Sequence, residues 1–132
     1  MVYTYDDYLG SVKELPIEEC QRLHNEMAEE ILGDPDAEEL YNEVIEAAAD
    51  YSSIRALWTI RSFEWRADHD DTRTMYHDAV IMSFNVLARY LRQQGKAAAW
   101  RDCLGYDEKG DDRKRIGDFA CFLVFIHGIN GR

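Results

Sequence analysis

The sequence predicts an all-α fold: a single-domain bundle of five to six helices over residues 1–132, with a central, largely apolar C-terminal helix. Three observations carry this. Helix caps recur along the chain, apolar residues repeat at helical spacing in every segment but the last, and no two strand-like runs exist to pair with each other. Only two prolines and eight glycines interrupt the 132 residues, which leaves little room for linkers.

Each element has its own signal. Thr4 with Asp7 three residues later resembles a capping box and predicts a short first helix to about Lys13. A second helix starts at Pro16, with Glu18 and Glu19 in its positive first turn, and ends at Gly33. Asp34 or Asp36 caps a third, "DPDAEELYNEVIEAAAD", which Tyr51-Ser52-Ser53 either continue or interrupt. "SSIRALWTIRSFEWRA" reads as a fourth. Asp70 and Asp71 cap a long fifth helix from Thr72 to Gln94, stopped by Gly95, and "KAAAWRDCLG" makes a short sixth. After the polar loop "YDEKGDD", the run "RKRIGDFACFLVFIHGING" has no apolar period, and it is expected to be a helix buried on all sides or covered by a second subunit.

Charge is unevenly placed. Of the net −11, residues 1–50 hold 15 acids against only Lys13 and Arg22, whereas residues 51–132 hold 11 acids and 13 bases. An acidic lobe disfavours nucleic-acid binding, which needs phosphate neutralisation. It suits a basic protein partner, or the more basic half of a second copy, so a homodimer is expected. The apolar run at Phe119 to Ile126 is too short to span a bilayer, and the start lacks signal-peptide character. Cys20, Cys103 and Cys121 are odd in number and form no CxxC pair, so they are expected to be reduced thiols of a cytoplasmic protein.

Winding the expected helices at about 100° per residue singles out polar residues on apolar faces. In the long helix, Met75, Tyr76, Ala79, Val80, Phe84, Val86, Leu87, Tyr90 and Leu91 share one wide apolar face, with Arg73 and His77 inside it. Arg61 and Glu64 fall in the buried arc of the fourth helix, while Arg55, Thr59, Ser62 and Arg66 form its polar stripe. His24 lies amid Ile17, Cys20, Met27 and Ile31, and Asp118 interrupts the last apolar run. A buried charge must be paired. The six residues Arg61, Glu64, Arg73, His77, Asp118 and His24 are therefore expected to form internal ion pairs, such as Glu64–Arg73 and Asp118–Arg61. The alternative is a polar pocket that holds an anion.

Two metal-site patterns are matched in outline. The order His24, His77-Asp78, Asp118 resembles the H…HD…D pattern of helical metal-dependent phosphohydrolases, although Asp78 falls on the face opposite His77. Glu26-x-x-Glu29 with Glu43-x-x-Glu46 resembles the carboxylate pairs of all-α nucleotide pyrophosphohydrolases, which bind magnesium, but these carboxylates wind to outward positions. The second pair also has Glu46 where that family has an aspartate. No P-loop, GxSxG, HExxH or zinc spacing occurs, and no family is identified. "KGDDRKR", Lys109 to Arg115, concentrates four bases beside a helix start, where they could meet an anion, but reads first as a solvated loop with acids beside its bases. The expectation is a helical binding or assembly module with no cofactor and no metal. Enzymatic activity is left open but not favoured, its outline a phosphohydrolase-like or anion-binding protein built on the six inward polar residues.

Overall fold

A computed structural model describes residues 15–105 and 115–130, and among them every regular element is helical. In order they are α1 (Ile17–Ile31), α2 (Pro35–Ile60), α3 (Phe63–Gln93), α4 (Ala99–Asp102) and α5 (Arg115–Asn130). The expected Thr4–Lys13 helix and the "YDEKGDD" loop lie outside the described residues.

Local chemistry sets most boundaries. Pro16 stands in extended conformation before α1, and Gly33, at φ 79°, turns the chain away after it. Asp34 caps α2 by accepting from the backbone N–H groups of Asp36 and Ala37, and Pro35 fills the first helical position. The Asp34 carboxylate also accepts a hydrogen bond from Tyr90 Oη at 2.8 Å, which ties the start of α2 to the end of α3. Gly95, at φ 84°, closes α3, with the Lys96 N–H returned to Leu91 O at 2.9 Å.

The centre of the chain departs from expectation. α2 continues without a break through Tyr51-Ser52-Ser53 to Ile60, and α3 then starts at Phe63. Ser62 is its cap, accepting from Trp65 N–H at 3.2 Å. Asp70 and Asp71 are thus not caps but exposed residues within α3. At 31 residues, this helix is about 46 Å long. It packs most extensively on α2, and α5 lies chiefly against α2.

The core gathers where all the helices meet. Leu23, Val44, Phe84, Leu87, Trp100 and Phe119 are fully buried there. Glu30 of α1 secures α4 by accepting from Trp100 Nε1 at 2.7 Å and from Ala98 N–H at 3.0 Å. Those bonds hold Ala98 in a left-handed conformation (φ 47°) that a non-glycine residue rarely adopts.

α5 is buried only in part. Ile116 to Ala120 and Leu123 are enclosed, but Phe125 is 64% and Ile129 44% exposed. A helix apolar on every side needs neighbours all round, and among the described residues α5 has them only along its first half. The α2–α3 hairpin also outruns the core: from Arg55 to Ala79 no residue is fully buried. This stretch is an arm of two helices.

Candidate functional site

Polar side chains do gather inside the bundle, but not the set the sequence suggested. Asp118 is buried at the start of α5, and Arg55 of α2 donates to its Oδ1 at 2.5 Å. Its Oδ2 accepts from Leu15 N–H at 3.2 Å. Burial is the largest single influence on Arg55 and opposes its charge, but the hydrogen bond it donates to Asp118 and the charges of Cys121, Tyr51 and Asp118 together outweigh it and raise the pKa, so the guanidinium stays charged. Ser52 Oγ and Arg55 Nη1 approach Cys121 Sγ at 3.4 and 3.9 Å. Gly117 makes this approach of α5 to α2 possible, because a Cβ there would lie 2.8 Å from Tyr51 Oη. The Tyr51 ring in turn meets His77 of α3, with centroids 5.2 Å apart.

Of the six expected residues, Asp118 and His77 thus border one cluster, on either side of Tyr51. Arg73 lies nearby on α3, stacked 4.7 Å above the Trp58 ring, and its ion pair is the exposed Asp70 at 3.4 Å. His24 is half-buried on α1, against the edge of Phe122. Burial lowers its pKa, and its Nδ1 has no hydrogen-bond partner among the described residues. Arg61 and Glu64 are exposed, which corrects their expected inward placement. The winding assumed one helix through Arg61, whereas the chain breaks there, so the register computed beyond Ile60 is lost. The partner of Asp118 is accordingly Arg55, not Arg61, and the partner of Arg73 is Asp70, not Glu64.

Sequence reasoning missed Arg55, which it assigned to a polar stripe, and Arg101. The latter is buried and donates to Asn85 Oδ1 at 2.7 Å and Gly105 O at 2.8 Å. One signal for Arg55 was available: it stands one turn after Tyr51, so both share a helix face.

The metal patterns do not assemble. Among the described residues no three His, Cys, Asp or Glu side chains are grouped to hold an ion. Asp78 is exposed, Glu26 pairs with Arg22 on its own helix, and Glu29, Glu43 and Glu46 face outward. Beside the arm, a groove of about 330 Å³ runs between α2 and α3, with Ile54, Leu57, Trp65, His69 and Tyr76 among its walls.

The outer side of α3 is the other unusual surface. Met75, Ala79, Met82 and Val86 are exposed, Met75 by 56% and Met82 by 67%, and they are spaced four, three and four residues apart. That spacing keeps them in a single stripe opposite the buried Val80, Phe84, Leu87 and Leu91. Exposed acids, Asp68, Asp71 and Asp78, flank the N-terminal part of the stripe, and exposed Arg89 and Arg92 flank its C-terminal part. Among the described residues no helix is long and apolar enough to cross a membrane. The chain matches no protein-family model, no curated protein and no solved structure.

Proposed function

We propose that the protein is a helical assembly module that associates with a second copy of itself through the outer face of α3. The carrying observation is the stripe Met75, Ala79, Met82 and Val86: apolar, solvent-exposed, and at the spacing by which one helix packs along another. Isolated exposed apolar residues are ordinary on any surface, whereas a periodic row along one long helix is a packing surface without its partner. Methionine suits it, since its flexible thioether fills irregular gaps between helices.

The interior polar cluster supports this reading over an enzymatic one. Asp118 is occupied by Arg55 and by the Leu15 N–H, an arrangement that fastens α5 to α2 rather than presenting a free acid or base. The exposed carboxylates of α1 and α2 keep the remaining surface hydrated.

Light scattering at micromolar concentration tests the proposal. The expected mass is twice the chain's 15.4 kDa, and Met82→Glu should return the protein to monomer while its helical circular dichroism is unchanged. A wild-type protein that stays monomeric overturns the reading.

A further inference from the structure

We infer that the second copy lies antiparallel along α3, with Met75 facing the partner's Val86 and Ala79 facing the partner's Met82. This rests on the proposed self-association and adds its direction and register. Two features of the helix carry it.

The apolar spacing reads the same from either end: four, three, four. Turning one helix end for end about the midpoint, between Val80 and Ile81, places the stripe on itself. A two-fold contact requires such a self-complementary surface. The charges are opposite at the two ends. Asp68 and Asp71 precede the stripe, Arg89 and Arg92 follow its last members, and all four are exposed. The same end-for-end turn brings Asp71 opposite the partner's Tyr90, and so beside the partner's Arg89 on the same flank, with Asp68 opposite the partner's Gln93. A parallel pair would set Asp71 level with the partner's Asp71 and Arg89 level with the partner's Arg89, so no acid would meet a base. Opposite charges reach the same level only when the two helices run antiparallel, so charge selects that arrangement. Arg92 is already engaged by Asp102 at 3.2 Å and by the Ala97 and Ala98 carbonyls. Arg89 is therefore the main cation offered to the second copy.

The fold gives this pairing a further consequence. The arm, which has no fully buried residue between Arg55 and Ala79, would lie beside the C-terminal end of the partner's α3. Each copy would thereby shelter the least enclosed part of the other.

Cysteine cross-linking in the full chain reads the direction, with the unsubstituted protein and its three native cysteines as the control. Met75→Cys mixed with Val86→Cys should yield a disulfide-linked dimer whose peptides join positions 75 and 86, and neither variant alone should link to itself at those positions. Separately, Arg89→Asp should weaken dimerisation roughly tenfold, by lost attraction and new repulsion at two symmetric places. Adding Asp71→Arg to the same chain should restore it. A dimeric wild type in which Met75→Cys links to itself overturns the antiparallel register and leaves the assembly reading standing. A monomeric wild type overturns both.

Discussion

The two ends of the α2–α3 hairpin are built on different principles. At the core end, several helices converge, and side chains interlock in layers: Phe84 packs against both Trp100 and Phe119, while Glu30 and Asp34 tie neighbouring elements by hydrogen bonds. Along the arm, among the described residues, there are only two helices, and contacts form a ladder of pairs. Trp58 meets the edge of Trp65, Trp65 stacks on His69 at 3.9 Å, and Arg73 covers Trp58. Two helices alone enclose one narrow line of contact, so even large aromatic residues stay partly wet there. The core end therefore carries stability, while the arm and the outer face of α3 keep apolar surface available for a partner.

The largest effect that tests this contrast pairs one aromatic residue from each region. Trp100→Ala, at a fully buried site, should cost about 3–5 kcal/mol in urea unfolding. Phe63→Ala at the arm tip, where the ring is 83% exposed, should change stability by less than about 0.5 kcal/mol. Similar losses at both sites would erase the distinction.

A smaller loss is expected at the clamp between α2 and α5. Asp118→Ala strands the Arg55 charge and the Leu15 N–H. Because the Arg55 side chain is 37% exposed, water recovers part of the loss, and the cost should be about 2–3 kcal/mol rather than that of a wholly dry pair. Replacing Arg55 by Met and Asp118 by Leu together should recover most of it in the same unfolding assay. A double variant no better than the single one would show that the pair does more than neutralise itself.

The smallest effect is a pH dependence at the core end. Burial lowers the His24 pKa below its ordinary 6.5, so the folded protein holds the neutral imidazole. A depressed histidine stabilises the fold fully above its unfolded pKa, and that contribution is lost as pH falls toward the lower folded value. The thermal midpoint should drop between pH 7 and pH 5, and His24→Phe should flatten the slope. An unchanged slope in the variant would place the sensitivity elsewhere. Asp34 acts further down the scale. Its carboxylate is held low chiefly by the Tyr90 hydrogen bond, so its contribution is present above about 3.8 and lost as pH falls through the lowered value.

Much of this molecule was legible without coordinates. Helical class, the turn at Gly33, a cap at Asp34 or Asp36 and the stop at Gly95 all follow from caps and glycines whose chemistry acts within a few residues, and the structure chose Asp34. The centre was not legible. Ile60-Arg61-Ser62-Phe63 contains neither proline nor glycine, and Asp70-Asp71 offers as good a local cap as Ser62 does. Only packing of α3 back along α2 decided between them, and that decision moved Arg61 and Glu64 to the surface. The pairing of Asp118 was equally hidden, since the identity of its partner depends on which turn of α2 the first turn of α5 crosses. For α3, the sequence alone determined that the helix is apolar over a wide arc, with Met75, Ala79 and Val86 in the same face as Val80 and Phe84. The tertiary structure divided that arc into an inner part against the core and an outer stripe facing water. Periodicity records which residues avoid water, but only the positions of neighbouring helices determine which of them are covered within one chain.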